Sequence, residues 1–286
     1  MPGILLLGGS GRLGSAVRTV WDDIVAPSSS ELDIKDEDSL ARSIDELEPA
    51  GIINCAGLTD VDGCERDPQA ADELNGLAPG RLAARAARAG VPLVHISTDY
   101  VFSGHEQRQL HEDDLLEPVN RYGQSKARGE GLVLDSGAKA LVARVQWLFG
   151  GEKPDFVRFV RGRLLSGQDV PVVDDQVGVP SYTTDLAAQL AVAWQAEFTG
   201  VLNLGNVGEV SRLDQAQQIA RDLDCTGQFR SVTWLELGRS AARPRRSVLD
   251  TTRIRDLVAA RAPQNEELFA TWHEAQRRYL KRIEQE

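Results

Sequence analysis

The sequence predicts an α/β fold in which a doubly wound parallel sheet carries helices on both faces and a smaller C-terminal part follows. Two observations support this prediction. Short apolar runs alternate with amphipathic stretches through the first half of the 286-residue chain, as is typical of strands buried on both faces. A glycine-rich turn also follows the first apolar run. After about Trp147 the alternation changes, and we place the start of the second part there.

The first half of the chain predicts five strands with helices between them. The apolar runs at 3–7, 24–26, 51–54, 92–96 and 140–144 are predicted strands. The stretches at 12–20, 36–47, 67–89 and 121–134 are predicted helices. Gly90 is expected to end the third of these helices, and Asn120 to cap the fourth. Because helices alternate with apolar strands, the sheet should be parallel.

The second half predicts more helix than strand. Helices are expected at 155–165, 184–194, 213–223 and 266–282, and strands at 170–173 and 201–204. Residues 1–146 together with 181–205 should form the sheet domain. Residues 147–180 together with 206–286 should form the smaller part, on the substrate side of a cleft.

Charge and composition restrict the partners. The net charge is -11 and the pI about 5.0, so the surface repels phosphate backbones and nucleic acid is not an expected partner. Cys55, Cys64 and Cys225 lack a metal-binding spacing and fit a reducing compartment, so we expect a cytoplasmic protein. No apolar run approaches the roughly 20 residues that span a bilayer, so no membrane association is expected.

Three glycines recur at three-residue intervals after the first predicted strand: Gly8, Gly11 and Gly14. The first permits a tight turn, the second lets backbone N–H groups approach a pyrophosphate, and the third allows close helix packing. A glycine-rich turn without a ligand is the alternative. The position between strand and helix favours a Rossmann-type dinucleotide site, with Gly8, Ser10, Gly11, Arg12, Leu13 and Gly14 as the binding residues.

The end of the second predicted strand bears on the choice between NADPH and NADH. NAD-selective enzymes often place a carboxylate there, against the ribose 2′-OH. Residues 27–30 read Pro-Ser-Ser-Ser, and Glu31 and Asp33 come only afterwards. Arg12 would attract a 2′-phosphate, although a solvated side chain at a helix start is the alternative. The sequence therefore favours NADPH and leaves NADH open.

A second motif follows the fourth predicted strand, which leads into Ser97 and Thr98. Ligands in such sheets bind beyond the carboxyl ends of the strands. Tyr122 and Lys126 then stand four residues apart, on one face of a predicted helix. A nearby ammonium is expected to lower the pKa of a tyrosine from its usual value near 10, so that Tyr122 can donate a proton to a carbonyl oxygen held by Thr98. The spacing of Tyr122 and Lys126 alone is weak evidence for a site. The order of the motifs along the chain, with the glycine turn first, then Ser97 and Thr98, then this pair, favours a reductase site.

These motifs occur within longer stretches that resemble the dTDP-4-dehydrorhamnose reductases, a family of extended short-chain dehydrogenases. The matching stretches are 53–62, 73–79, 95–102, 120–126, 172–180 and 243–250, and they span nearly the whole chain. The Ser-Thr-Asp-Tyr-Val-Phe segment at 97–102 and the Asp-Asp-Gln-Val-Gly-Val-Pro segment at 174–180 are distinctive of this group.

The resemblance implies an enzyme that uses NAD(P)H to reduce the 4-keto group of a nucleotide-linked 6-deoxysugar, dTDP-4-dehydrorhamnose above all. It implies catalysis by Thr98, Tyr122 and Lys126. The implied cofactor contacts add Cys55, Ala56, Gly57 and Ser97 to the glycine turn, with Tyr122 and Lys126 touching the same cofactor. The implied substrate contacts are Thr98, Tyr100, Trp147, Gln176 and Arg243.

Departures from the family pattern leave alternatives open. Relatives carry a glutamate used with magnesium at a dimer contact where this chain has Ala16, so we predict no metal, and a homodimer stays open. Gln146 and Asp155 stand where a serine and an asparagine are usual, on the sugar side. A dehydratase is disfavoured because Tyr100, not glutamate, follows Asp99. A reductase or epimerase for another nucleotide sugar is one alternative. A non-catalytic subunit resembling the regulatory subunit of methionine adenosyltransferase is the other.

Overall fold

The structure, a computed structural model, describes residues 3–262 and 268–285. Over these residues the strands are β1 Ile4–Leu7, β2 Ile24–Val25, β3 Gly51–Asn54, β4 Leu93–Thr98, β5 Ala140–Val145, β6 Leu148–Phe149, β7 Val170–Val173, β8 Val177–Gly178, β9 Ser181–Tyr182, β10 Gly200–Asn203, β11 Val210–Ser211 and β12 Phe229–Val232. The helices are α1 Arg12–Val20, α2 Glu37–Leu47, α3 Val61–Arg66, α4 Pro68–Ala71, α5 Ala78–Ala89, α6 Arg121–Leu134, α7 Phe156–Leu165, α8 Thr183–Gln195, α9 Arg212–Asp222, α10 Thr252–Arg261 and α11 Trp272–Ile283.

Six strands form the central sheet, in the order β10-β5-β4-β3-β1-β2, and every neighbouring pair is parallel. The chain starts at β1 and winds outward in both directions, so the predicted doubly wound α/β fold is confirmed. Alternate residues of β1 enter opposite cores: Ile4 and Leu6 on one face, Leu5 and Leu7 on the other. Both faces therefore need covering by helices.

Helices α1, α8 and α10 cover one face of the sheet, and Leu13, Leu186 and Ile254 are buried there. Helices α2, α5 and α6 cover the other face. A third core joins α7, β7, α9 and α11 in the C-terminal part. Helix α10 lies in the predicted smaller part yet packs on the sheet. The exact division of the chain into two parts stays a prediction.

The predicted helix 67–89 differs most from the structure. It is divided into α4, a π-helical turn Asp72–Leu77, and α5. Pro79 lacks the N–H that would bond the carbonyl of Asn75 four residues earlier, and a π turn accommodates such a break. The Asn75 side chain instead bonds both backbone groups of Leu58, at 2.8 and 3.0 Å. Gly90 ends α5 in the left-handed conformation, as predicted.

The remaining predicted elements agree closely with the structure, apart from the last helix. That helix begins at Trp272, and the predicted start at Glu266 lies outside the described residues. The pattern did not predict the two-residue strands β6, β8, β9 and β11, nor β12, α3 and α10. Within residues 3–262 and 268–285, no helix is long and apolar enough to cross a membrane.

Candidate active site

The carboxyl ends of the central strands open into one cavity of about 890 Å³, a volume typical of ligand sites. Its walls are the turn after β1, the loops after β2 and β3, and the segments that follow β4 and β5. Residues from α6 and α9 complete it. The cavity brings together Gly8, Ser10, Gly11, Arg12, Leu13, Gly14, Cys55, Ala56, Gly57, Ser97, Thr98, Tyr100, Tyr122, Lys126 and Trp147. Of the predicted site residues, Gln176 and Arg243 are not among those that line it.

The glycine turn has the geometry of a close backbone approach. Gly8 has a φ of +74°, and a side chain there would place its Cβ 2.5 Å from the backbone nitrogen of Ala56. A Cβ at Gly14 would collide with the carbonyl of Gly8. The Gly11 N–H donates to that same carbonyl at 2.9 Å. Since side chains are excluded from this turn, its backbone can meet a pyrophosphate at the start of α1.

Arg12 connects the glycine turn to the loop before α7. Its Nη1 donates to the carbonyls of Gly150 and Lys153 at 3.1 and 3.0 Å, and lies 3.3 Å from Asp155 Oδ2. Its contact with a 2′-phosphate stays a prediction. Lys35, which sequence reasoning missed, lines the cavity beyond β2 and pairs with Asp33 at 3.4 Å. Lys35 belongs to no recognisable sequence motif. Only the path of the loop after β2 brings it to the cavity.

Thr98 ends β4, and Tyr122 and Lys126 lie on α6. Asn120 caps α6 by accepting a hydrogen bond from the Gly123 N–H at 2.8 Å. Tyr122 and Thr98 both line the cavity. The pKa of Tyr122 is raised, not lowered as the sequence predicts, because burial of the phenol outweighs the opposing effect of the Thr98 side chain. Tyr122 therefore keeps its proton at neutral pH, as a proton donor must.

Two residues of β4 hold the Lys126 side chain in place. Its Nζ donates to the Ile96 carbonyl at 2.5 Å and lies 3.4 Å from His95 Nε2. Burial lowers the pKa of Lys126 to about 8. Burial first, and then the nearby lysine charge, lower the pKa of His95 well below 6.5, so this imidazole is neutral. His95 Nδ1 in turn lies 3.1 Å from the amide nitrogen of Asn54. His95 is fully buried in β4, and its ring supports the lysine.

Asp99 fixes the orientation of Thr98. Its carboxylate accepts hydrogen bonds from Thr98 Oγ1 at 3.0 Å and from Ser247 Oγ at 2.5 Å. Burial raises the pKa of Asp99 to about 6, although both hydroxyl bonds favour the charged form. The Cys55 thiol also lies along the cavity, and burial raises its pKa to about 12, so it is no nucleophile at neutral pH.

Two residues that line the cavity each carry a buried side-chain atom without a partner among the described residues. These atoms are Ser97 Oγ and Gln146 Nε2. Buried polar groups in proteins are normally hydrogen-bonded, so each atom has an unused hydrogen bond. Gln146 Oε1 accepts from the Val179 N–H at 3.3 Å, which fixes the direction of the amide. The glycine turn and these two atoms fit a dinucleotide and a polar substrate lying along one cavity.

Trp147 lines the cavity beside Arg212. Its backbone has a φ of +42°, and Gly178 packs against its ring so closely that a Cβ there would lie 2.5 Å from Trp147 Cε2. The guanidinium of Arg212 lies 3.5 Å from the centre of the same ring. The Tyr100 and Tyr122 rings meet edge to face, with centroids 5.6 Å apart. Arg212 lines this end with them and was not predicted from the sequence.

Gln176 and Arg243 lie close to this end of the molecule. The Gln176 carbonyl accepts from the Arg212 backbone N–H at 3.2 Å. Arg243 forms two hydrogen bonds with Asp62, at 3.1 and 2.6 Å, and these hold the pKa of Asp62 well below its usual value. Their substrate contacts stay predictions. Among the described residues, no three His, Cys, Asp or Glu side chains are grouped to hold a metal ion.

The sheet, the glycine turn and the Thr–Tyr–Lys set define the class: this is an NAD(P)-dependent oxidoreductase of the extended short-chain dehydrogenase type. The family model described as RmlD substrate binding domain matches residues 1–282, and the chain belongs to that family.

Three proteins illustrate the similarity. A probable low-salt glycan biosynthesis reductase, Agl14, of Haloferax volcanii is 34% identical, covering 92% of this chain and 94% of its own. A dTDP-4-dehydrorhamnose reductase of Mycobacterium tuberculosis is 37% identical, covering 87% and 84%. The crystal structure of a Bacillus anthracis dTDP-4-dehydrorhamnose reductase in complex with NADP matches with a TM-score of 0.90 at 28% identity, covering 98% and 99%.

Proposed function

We propose that this protein uses NADPH to reduce the 4-keto group of a nucleotide-linked 6-deoxysugar, with dTDP-4-dehydrorhamnose as the first substrate to test and dTDP-rhamnose as its product. The observation that carries the proposal is that Thr98, Tyr122 and Lys126 line the same cavity as the glycine turn. Relatives named dTDP-4-dehydrorhamnose reductase support the sugar.

The residues of this chain fit the cofactor. The backbone of Gly8 to Gly14 would receive the pyrophosphate, and Cys55 to Gly57 would lie along the middle of the dinucleotide. Ser97 Oγ is buried and has no hydrogen-bond partner among the described residues, so it could bond the cofactor. The NADP bound to the Bacillus anthracis relative supports NADPH here, with NADH as the alternative.

Three side chains divide the work of the reduction. NADPH, when bound, supplies the hydride for the carbonyl carbon. Thr98 donates its hydroxyl hydrogen to Asp99 in the structure, and with substrate bound it would donate that hydrogen to the carbonyl oxygen instead. Tyr122 holds the proton that this oxygen receives, because burial keeps the phenol protonated. The Lys126 ammonium favours release of that proton and is kept in place by Ile96 and His95.

A different nucleotide sugar is the second candidate, and Gln146 favours it. Relatives of the family usually have a serine at this position, whereas here the larger side chain of Gln146 lines the cavity. A relative from Haloferax volcanii is named for low-salt glycan biosynthesis rather than for dTDP-rhamnose. A purely regulatory role finds no support in the site, since Thr98, Tyr122 and Lys126 are all retained.

The test is a screen of dTDP-, UDP- and GDP-linked 4-keto-6-deoxysugars for NADPH oxidation, followed by analysis of the product sugar. We expect turnover with at least one of them, and dTDP-4-dehydrorhamnose to be among the best. NADPH binding without oxidation by any of the three would reject a reductase of this substrate class.

A further inference from the structure

Arg212 begins α9 and projects into the catalytic end of the cavity. Its guanidinium lies 3.5 Å from the centre of the Trp147 ring and 4.8 Å from that of Phe156. It lines the cavity together with Thr98 and Tyr122. Stacking on aromatic rings fixes the plane of a guanidinium and leaves its N–H groups free to point elsewhere.

This guanidinium has no carboxylate partner over residues 3–262 and 268–285. Its Nη1 donates to the side-chain oxygen of Gln215 at 3.0 Å. The carboxylates of Asp99 and Asp155 act on it only at longer range, because both are bonded elsewhere. Asp155 Oδ2 accepts from the Gly150 N–H and from the Tyr279 hydroxyl, at 3.0 and 2.9 Å. Arg212 is half-buried, and a cation partly removed from water without an ion-pair partner is costly.

Two other arginines near the cavity differ in this respect. Arg12 is paired with Asp155, and Arg243 is paired with Asp62. Burial lowers the pKa of Arg212, but only to about 10, so its charge persists at neutral pH. Arg239 adds a second positive charge that acts on both Arg212 and Tyr100. The catalytic end therefore carries uncompensated positive charge, which an anionic ligand would balance.

We propose that Arg212, held against Trp147, binds the diphosphate of the substrate. The inference rests on the proposed function. In that function the neutral keto sugar lies at Tyr122, and the diphosphate joined to the sugar ring lies only a few bonds away. The pyrophosphate of the cofactor is excluded as the ligand, because the glycine turn receives it at the other end of the cavity. A guanidinium fork matches two phosphate oxygens at once, and Trp147 serves to orient that fork rather than to stack on a substrate ring.

The test measures the dissociation constants of dTDP, UDP and GDP, of thymidine, and of NADP⁺ for wild type and Arg212→Gln. We expect the tightest nucleoside diphosphate to bind about tenfold to a hundredfold more weakly to the variant, the range for hydrogen bonds to a charged group. Thymidine and NADP⁺ should bind as before. Arg230→Gln, an exposed arginine on β12, is the matched control and should change nothing.

Arg212→Lys keeps the charge but not the planar fork, so it should weaken diphosphate binding severalfold, and it serves if Arg212→Gln does not fold. Undiminished diphosphate binding in a folded Arg212 variant overturns this inference and leaves the proposed function standing. A loss of NADP⁺ binding equal to the loss of diphosphate binding also overturns it, because Arg212 would then be a cofactor contact. If the wild type binds NADP⁺ but none of the three diphosphates, the proposed substrate class fails with it.

Discussion

At the residue scale, the site consists of side chains whose burial sets their protonation. Tyr122 is kept protonated, while Lys126 is brought down to a pKa of about 8. His95 stays neutral beneath the lysine, and so adds no second positive charge. In the proposed mechanism, proton donation by Tyr122 therefore depends on a lysine that changes charge within the working range of an assay.

The first prediction concerns the dependence of activity on pH. Lys126 is charged below its pKa of about 8 and neutral above it, so kcat/KM for sugar reduction should fall as the pH rises through that value. Lys126→Arg keeps its charge in the whole range and should move the fall to higher pH, even if its turnover is lower. Profiles of kcat/KM from pH 6 to pH 10 measure both. If kcat/KM fell at the same pH in both proteins, Lys126 would not be the cause of the fall.

Local spacing accounts for what the sequence could predict at this scale. Tyr122 and Lys126 share one helix face, and Thr98 ends a strand, so pattern alone identified them. Arg212 carried no such signal. The antiparallel pairing of β11 with β8 sets Val210 opposite Gly178, and Gly178 packs on Trp147. Strands of two residues have no readable alternation, so the sequence did not reveal that contact.

At the element scale, α6 positions the catalytic pair because it packs unusually close to its neighbours. A Cβ at Gly123 would collide with the carbonyl of Tyr100, and one at Gly129 with the carbonyl of Asn75. Gly131, two residues beyond Gly129 and exposed, has nothing within 4 Å of such an atom. The glycines of one helix therefore have different roles, which their sequence pattern does not distinguish.

The second prediction compares Gly123→Ala with Gly131→Ala. At Gly131 the new methyl group meets open space, so the variant should gain roughly 0.5–1 kcal/mol in unfolding free energy from the better helix former. At Gly123 the methyl group must displace α6, so stability should fall by about 1–3 kcal/mol and turnover should fall with it. Thermal unfolding and steady-state kinetics measure the pair. Equal stability of the two variants would mean that the close approach of α6 is not needed.

At the scale of the whole molecule, the outward winding of the sheet from β1 brings all the functional loops to one edge. The sequence could predict this, because each central strand is a continuous apolar run. It could not predict that Pro79 breaks the helix at Asn75, nor that Arg12 ties the glycine turn to the loop before α7. The break is a local effect of Pro79 that the helical pattern of residues 67–89 did not take into account, whereas the Arg12 contact joins segments distant in sequence.

The third prediction concerns cofactor preference. NADPH should bind at least as tightly as NADH, since no carboxylate ends β2. Arg12→Ala should reduce the difference between the dissociation constants of the two cofactors. Lys35→Ala is the informative comparison, because Lys35 lines the same end of the cavity. Titration of each protein with both cofactors gives the dissociation constants. If that difference became smaller in Lys35→Ala but not in Arg12→Ala, the 2′-phosphate would be bound by Lys35, which would contradict the role of Arg12.

The proton donated by Tyr122 is the central claim, and NADPH oxidation in the presence of dTDP-4-dehydrorhamnose tests it most directly. Tyr122→Phe keeps the ring and its contact with Tyr100 but removes the proton. Turnover in this variant should fall about 10²-fold or more, the scale of general acid catalysis, while NADPH affinity stays within about twofold. Turnover close to that of the wild type would show that another group donates the proton and would contradict the account.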